Sequence, residues 1–294
     1  MFSLTDEISK ISDLRRNLRN WYVVPLFKYG IIKKATLTTK RGDSMEINSM
    51  QDYYTFFSGR VWGMQKLGRV NDRIKITDNM VILDGKTKFA YHKETELGAS
   101  LLMLGEVYKE EYGCLDVQDK IVIDIGANIG DSTIYFATKG AKKVIAFEPF
   151  PATYRQAKEN IGLNGLDKRI ELLNMGVGGK SETIFLPDTF IGTSSMDSIG
   201  KSALSGDTHE GVPIRIITLD EIIKMYPNDE TVLKMDCEGC EYASLLDATD
   251  ETLKHFSEII LEYHEKSGKL MERFRKAGFT TELKAGRIML AKRN

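Results

Sequence analysis

The sequence contains few cysteines, almost no net charge and no long apolar run. Its 294 residues include three cysteines, which are too few for a disulfide framework and fit a reducing compartment. The formal net charge is −1, so the chain lacks the excess of basic residues that is typical of nucleic-acid-binding proteins. We therefore expect no nucleic-acid partner. No stretch approaches the roughly 18 to 20 apolar residues that a membrane span requires, so we expect no transmembrane helix.

The first residues also lack the pattern of a secretory signal. Asp6 and Glu7 stand where a signal peptide needs an apolar run. Together with the cysteine count, this predicts a cytoplasmic protein. Hydrophobic residues make up 42% of the chain and charged residues 28%, which are ordinary values for a folded, soluble protein.

The N-terminal third predicts a small region of mixed helix and strand. Residues 5–20 predict an amphipathic helix, because apolar side chains recur there at helical spacing. Residues 31–47 and 73–92 alternate apolar and polar side chains around turn signals, which is typical of short antiparallel strands. We therefore assign residues 1–104 to a small α+β domain and residues 105–294 to a second domain.

The same N-terminal region combines basic and apolar side chains. The residues concerned are Arg15, Arg16, Arg19, Lys28, Lys33 and Lys34, around Trp21, Tyr22, Val23, Val24, Leu26 and Phe27. Basic residues attract anionic headgroups and aromatic residues favour the membrane interface, so one hypothesis is weak contact with a membrane surface or a lipid-linked substrate. The alternative, which we favour, is that the apolar residues pack against the core of the second domain.

From about residue 106, strands and helices alternate. Strands are predicted at 121–124, 143–148, 169–177, 183–187, 212–218, 232–236 and 258–264, and helices at 131–139, 151–163, 218–225, 241–249 and 268–277. This alternation is typical of a doubly wound, mostly parallel sheet, and residues 280–291 predict a closing antiparallel hairpin. The predicted fold class is therefore a Rossmann-like α/β fold preceded by a small α+β region.

One long segment interrupts this alternation. Residues 188–211 are rich in glycine, serine and threonine and have no clear periodicity. A long irregular segment of this kind is usually a functional loop or disordered. We predict that it forms a lid on the side of the site where a second substrate enters.

The first motif runs from Asp124 to Asp131, directly after a strand and directly before a helix. Gly126 and Gly130 allow the backbone to turn tightly and approach a ligand, and the helix N-terminus offers free N–H groups. Asn128 and Gly130 stand in the wrong register for the glycines of the dinucleotide fingerprint. An acid at the end of this strand suits a ligand with an ammonium group, such as S-adenosylmethionine, and would repel a pyrophosphate. All five residues are candidate cofactor-binding residues.

The second motif is Glu148, at the end of the next strand. An acid at this position accepts hydrogen bonds from both hydroxyls of an unphosphorylated ribose. Alone it fits NAD and S-adenosylmethionine equally well, and together with the first motif it favours S-adenosylmethionine. The alternative is that both acids merely cap the ends of strands or helices.

These motifs resemble the FkbM family of methyltransferases. The resemblance is carried by residues 121–133, 146–149, 218–220 and 234–239, in the order of the family, and covers roughly residues 105–294. It implies a class I enzyme that uses S-adenosylmethionine and typically methylates hydroxyl oxygens of sugars, glycolipids or polyketides. The expected partner is therefore a small-molecule or glycan acceptor. The first hundred residues carry no such resemblance.

The third motif places Asp236 and Glu238 after the fourth core strand. Ligands of doubly wound sheets bind beyond the carboxyl ends of the strands, near the point where strand order reverses. One hypothesis is that a carboxylate accepts the proton of the acceptor hydroxyl. A second is that both acids hold a divalent metal that orients the hydroxyl, and a third is that they only cap the helix that begins near Glu241.

His264 follows the fifth core strand, on the same predicted edge as Asp236. A neutral imidazole there is a candidate base with Asp236 as its orienting partner, and the alternative is a surface or hydrogen-bonded histidine. We favour a mechanism without metal, because one histidine and two acids are a sparse ligand set for magnesium. Cys237 and Cys240 form a C-x-x-C, but a structural zinc site would need a second ligand pair, which is absent, and a redox role is the minor alternative.

The rival functions lack their own signatures. No Asn-Pro-Pro-Tyr-type segment follows the fourth strand, which argues against an amino-group DNA methylase, and no H-E-x-x-H, P-loop or G-x-S-x-G occurs. A nicotinamide dehydrogenase would need the G-x-G-x-x-G register. A non-catalytic cofactor-binding protein would keep Asp124 and Glu148 without needing Asp236, Glu238 or His264.

Overall fold

The computed structural model of the chain describes residues 14–40, 42, 44–56, 74–92, 94–108, 112–188, 211–227 and 230–294. The contacts within the chain divide it into two compact units. The first holds Met1–Gly85 and Tyr91–Lys109, and the second holds Lys86–Ala90 and Glu110–Asn294. The chain therefore changes unit at 85/86, 90/91 and 109/110, whereas the sequence predicts one boundary at 104/105.

The first unit consists of short elements around its own apolar cluster. Its elements are α1 (Val23–Lys28), β1 (Ala35–Thr38), β2 (Ser44–Ile47), α2 (Met50–Phe56), β3 (Ile74–Ile76) and β4 (Met80–Leu83). Two antiparallel pairs form, β1 with β2 and β3 with β4, as the alternating pattern predicts. Of the amphipathic helix predicted at 5–20, residues 14–17 are helical, and 1–13 lie outside the described residues.

The apolar residues that raised the question of membrane contact contribute to this cluster. Val24 and Phe27 are buried in it, and Trp21 and Val23 pack against it. Tyr22 is 58% exposed, so some apolar side chains of this segment are buried in the cluster and others face solvent. Within the described residues, no helix is both long enough and apolar enough to cross a membrane.

The second unit is built on a seven-stranded sheet. Its elements begin with β5 (Thr87–Ala90), β6 (Ile121–Ile125), β7 (Lys143–Phe147), β8 (Ile170–Leu173), β9 (Gly176–Val177), β10 (Glu182–Leu186) and β11 (Val212–Ile217). They continue with β12 (Thr231–Met235), β13 (Phe256–Glu262), β14 (Phe279–Leu283) and β15 (Ile288–Arg293). The order in the large sheet is β14-β15-β13-β12-β6-β7-β8, and β9, β10 and β11 form a small sheet.

Helices occur throughout the chain, and most of them connect the strands of the second unit. They are α3 (Glu94–Val107) in the first unit, then α4 (Asp131–Thr138), α5 (Pro151–Leu163), α6 (Leu219–Met225), α7 (Glu241–Asp247), α8 (Asp250–His255) and α9 (Gly268–Lys276). In the large sheet, neighbouring strands pair in parallel through β8, β7, β6, β12 and β13, and β15 pairs antiparallel with both β13 and β14. The predicted α/β class, with a mostly parallel sheet and a C-terminal antiparallel hairpin, is confirmed.

The core explains why the central strands are mostly apolar. Ile123, Ile145, Leu233 and Ile259 come from four neighbouring strands and are fully buried. A parallel sheet with connecting helices on its faces buries both sides of each strand, and each such side chain contributes about 1.5–3 kcal/mol. From β6 the chain proceeds to β7 and β8 on one side, whereas β12 and β13 lie on the other. Strand order therefore reverses between β6 and β12, the usual position of a ligand site.

Candidate active site

The loop that follows β6 has backbone conformations that favour glycine. Gly126 has a φ of +80° and Gly130 a φ of +85°, and Asn128 between them has a φ of +48°. A Cβ at Gly126 would lie 1.8 Å from the backbone oxygen of Asp236, a clash that only glycine avoids. The N–H of Asp236 also donates to the carbonyl oxygen of Ile125 at 3.0 Å. The predicted cofactor loop and the predicted catalytic edge are therefore in direct backbone contact.

Asp124 is directed into the protein and has its partners there. Its side chain is fully buried, and its Oδ1 lies 3.0 Å from Nζ of Lys234. Ser132 and Thr133 donate hydrogen bonds to its Oδ2 at 2.8 and 2.6 Å. The prediction that Asp124 receives the ammonium group of a ligand needs correction, because a lysine of the chain already supplies an ammonium group to this carboxylate.

Lys234 is a site residue that the sequence analysis did not identify. Its side chain is 2% exposed, and its Nζ donates a hydrogen bond to the carbonyl oxygen of Gly126 at 2.7 Å. Burial alone would lower the pKa of Lys234, but the carboxylates of Asp124, Asp236 and Asp131 outweigh burial and raise that pKa. Lys234 lies beside Asp124 because β12 pairs with β6 in this register. Knowledge of this strand pairing would have identified it as the partner of Asp124.

Glu148 lies beside the glycine loop, where the sequence predicts it. The residue is 4% exposed, and its carboxyl oxygens accept hydrogen bonds from the N–H groups of Asn128 at 2.9 Å and Phe150 at 3.0 Å. Burial raises the pKa of Glu148 to about 8, although these two N–H groups oppose the shift. Burial also raises the pKa of Asp131, the first residue of α4, to about 7. Two buried carboxyl groups therefore border the loop, and hydrogen-bond donors of a ligand would stabilise their charged forms.

Asp236 begins the second half of the site, directly after β12. Its half-buried carboxylate accepts a hydrogen bond from the hydroxyl of Tyr112 at 2.9 Å. The ring of Tyr112 is buried and lies 5.5 Å, measured at its centroid, from Nζ of Lys234. Sequence reasoning missed Tyr112 because it precedes β6 in an irregular segment without a motif.

The turn between β12 and α7 is held by Glu241. This side chain is fully buried and accepts hydrogen bonds from the N–H groups of Cys237 and Gly239 at 2.9 and 3.0 Å. The N-cap residue of α7 makes no side-chain hydrogen bond to the helix. Glu241 therefore fixes the turn that carries Glu238.

His264 lies between two carboxylates. Its Nδ1 is 3.3 Å from Oε1 of Glu241, and its Nε2 is 3.2 Å from Oε2 of Glu238. Glu241 first, and Glu238 and Asp236 to a lesser extent, raise the pKa of His264 to about 9. The expectation of a neutral imidazole base oriented by Asp236 needs correction, because two glutamates hold the ring and favour its charged form.

The side chains that could bind a metal at this edge differ from the pair that the sequence predicts. Asp236, Glu262 and His264 each offer a ligand atom, and these atoms lie within 4.8 Å of one another. Glu238, which the sequence pairs with Asp236 as a metal ligand, contacts the imidazole of His264 instead. Glu262 was not predicted, although it ends the strand that pairs with β12.

Two further expectations concern the surroundings of the site. Cys237 and Cys240 form a disulfide across the turn, with their Cα atoms 5.6 Å apart, whereas Cys114 is a free thiol. The cysteine count therefore did not exclude this single bond, which is formed within a tight turn. The lid predicted at 188–211 falls on residues 189–210, which lie outside the described residues.

Comparison with known proteins confirms the resemblance to a family. The model of the methyltransferase FkbM domain matches residues 124–281, which is more than half of the 294 residues. Methyltransferase 1 of Beauveria bassiana is 26% identical over 197 residues, covering 58% of this chain and 77% of that protein. The AMB antimetabolite synthetase AmbE of Pseudomonas aeruginosa is 27% identical over 207 residues, 59% of this chain, and the match spans 10% of that synthetase.

Solved structures superpose on part of the chain. The ribosomal protein L11 methylase of Lactobacillus delbrueckii subsp. bulgaricus is 17% identical, with a TM-score of 0.35, and the match covers 69% of this chain and 81% of that one. The M1A22 tRNA methyltransferase of B. subtilis is 12% identical, with a TM-score of 0.35, and the match covers 60% and 62% of the two chains.

Proposed function

This chain belongs to the methyltransferase FkbM family, and we propose that it transfers the methyl group of S-adenosylmethionine to a hydroxyl oxygen. The acceptor is a sugar, a glycolipid or a related small molecule. A nucleic acid is a poorer acceptor on electrostatic grounds, since the chain carries a formal net charge of −1.

The observation that carries the cofactor assignment is the buried carboxyl of Glu148 beside the loop of Gly126 and Gly130. A carboxylate at the end of the second core strand accepts hydrogen bonds from both ribose hydroxyls, and these would compensate the burial that raises its pKa. The positive φ values at the two glycines allow the backbone to approach the cofactor closely. With Asp124 paired to a lysine, the ammonium group of the cofactor must find other acceptors near this loop.

The reaction needs alignment more than charge stabilisation. A bond forms between the acceptor oxygen and the methyl carbon while the bond from that carbon to sulfur breaks, and the electron pair returns to sulfur. The sulfonium charge disappears, and the hydroxyl proton leaves to a base. We assign Asp236, which lies next to the cofactor loop, to the removal of this proton. His264 lies between Glu238 and Glu241 behind it.

Cofactor binding and methyl transfer are tested separately. Titration calorimetry with S-adenosylmethionine and with NAD tests the cofactor, and binding of NAD alone would overturn the proposal. Transfer of a labelled methyl group to a panel of sugars, glycolipids and small alcohols tests the acceptor class. The proposal expects label that resists mild base treatment, as an ether does, whereas label released as methanol would indicate a carboxylate acceptor.

A further inference from the structure

We propose that a divalent metal ion binds at the carboxyl ends of β12 and β13, with Asp236, Glu262 and His264 as its protein ligands. One ligand atom from each residue lies within 4.8 Å of the other two. Two carboxylate oxygens and one imidazole nitrogen form a set that suits Mn²⁺ or Zn²⁺ better than an all-oxygen cation such as Ca²⁺. The site differs from the pair of acids that the sequence predicts, because Glu262 takes the place given to Glu238.

The strand register explains why these side chains converge. β12 and β13 pair in parallel, with Met235 beside Leu261. The next residue of each strand is a carboxylic acid, so Asp236 and Glu262 are neighbours at the same edge of the sheet. His264 follows two residues later, in the bend beyond β13, and its ligand atom lies within 4.8 Å of those of the two acids. The three ligands therefore come from the ends of two neighbouring core strands and from the bend that follows one of them.

The residues around the ligands hold two of them in place. Glu241 is fully buried, is fixed by two backbone N–H groups, and has its Oε1 3.3 Å from Nδ1 of His264. Histidines that bind metals usually present their second nitrogen to a carboxylate in this way, which orients the ring and leaves Nε2 for the metal. On the other side, the hydroxyl of Tyr112 donates to Oδ2 of Asp236 at 2.9 Å.

Glu238 is the side chain that must respond to the metal. Its Oε2 lies 3.2 Å from Nε2 of His264, the nitrogen that the metal would take, and its side chain is 43% exposed. On metal binding, this partly exposed carboxylate would turn toward solvent or toward the cation. A dication at this edge would also reduce the excess of negative charge that Asp236, Glu238 and Glu262 create there.

The role of the ion rests on the proposed methyl transfer to a hydroxyl. Three protein ligands leave coordination positions open, and an acceptor hydroxyl at one of them would lose its proton more readily and be held in line with the methyl group. Binding of the ion itself depends only on the ligands, so it is measured without acceptor or turnover.

Mn²⁺ alone is the probe for the test. The full chain is freed of metal with a chelator and titrated with Mn²⁺, and the loss of the signal of aqueous Mn²⁺ is followed by electron paramagnetic resonance. We expect one tight site per chain, and about tenfold or greater weakening in Glu262→Gln, the scale at which even outer residues of metal sites act. Glu265→Gln, an equal charge change at an exposed neighbouring position, should leave the affinity unchanged.

A second variant and a second ligand distinguish failure of the metal site from misfolding and from failure of the proposed function. Asp236→Asn should weaken Mn²⁺ binding as Glu262→Gln does, and circular dichroism reports whether either variant is folded. Absence of Mn²⁺ binding to the wild-type chain at millimolar concentration, or equal affinity in wild type and folded Glu262→Gln, would overturn the site. S-adenosylmethionine binding is measured on the same samples: if it is intact while Mn²⁺ fails to bind, the metal site falls and the proposed function stands.

Discussion

The buried carboxyl of Glu148 predicts that cofactor affinity depends strongly on pH. Burial raises the pKa of this group to about 8, so it is mainly protonated in the unliganded protein at neutral pH. Two ribose hydroxyls donate to it best when it is charged, so binding requires that the proton leave. Below the pKa, each pH unit then costs a factor of about ten in affinity, and the dissociation constant should rise about 10- to 100-fold between about pH 8 and pH 6.

The assay is titration calorimetry with S-adenosylmethionine across this pH range, in buffers that differ in ionisation enthalpy. Near pH 6 we expect release of about one proton for each cofactor bound. The amino group of the cofactor titrates near the same pH, so Glu148→Gln serves as the reference that retains only that contribution. This variant should bind at least about tenfold more weakly than wild type near pH 8 and should lose the dependence on pH that the carboxyl causes. Wild-type and variant affinities with the same dependence on pH would refute the reasoning.

Three substitutions test other parts of the site. Lys234→Met leaves Asp124 buried without its cation and should lower the free energy of unfolding, measured by urea denaturation, by about 3–5 kcal/mol. Adding Asp124→Asn should recover part of that loss, and the absence of any recovery would contradict the ion pair. Gly126→Ala should abolish cofactor binding in calorimetry, because its Cβ would lie 1.8 Å from a backbone oxygen, whereas Gly162→Ala in α5 has room for its Cβ and should bind normally. Asp236→Ala should reduce turnover about 100-fold or more with little change in cofactor affinity, and a fully active variant would leave positioning alone as the account of catalysis.

The architecture could be predicted from sequence where burial leaves a periodic signal. β6 and β12 are short, mostly apolar segments flanked by loops, which is typical of strands covered on both faces. The segment predicted as one strand at 169–177 is instead two strands, β8 and β9, which belong to different sheets. No local pattern states which partner a strand will choose. Helix α8 was missed because its 6 residues are too few to show helical periodicity.

The sequence predicts which residues lie at the ends of the core strands, but not which side chains contact one another there. Glu148 stands where its motif predicts, since strand ends meet at one edge of a parallel sheet. The partner of Asp124 depends on which strand lies beside β6, so Lys234 could be identified only from the sheet order. The expectation for His264 failed for a similar reason, because Glu241 approaches the ring from a turn that follows another strand.

The contacts of Lys234 have a consequence for the design of chimeric enzymes. Its Nζ joins the carboxylate of Asp124 to the carbonyl oxygen of Gly126, and Gly126 in turn passes against the backbone of Asp236. The loop after β6 and the edge after β12 are therefore structurally coupled. Neither segment can be exchanged between relatives unless the contacts between the two are kept. A graft of a new acceptor edge should begin after Asp236, so that the recipient keeps its own lysine and its own glycine. A graft that begins upstream of Lys234 should carry the residues from 124 to 126 with it.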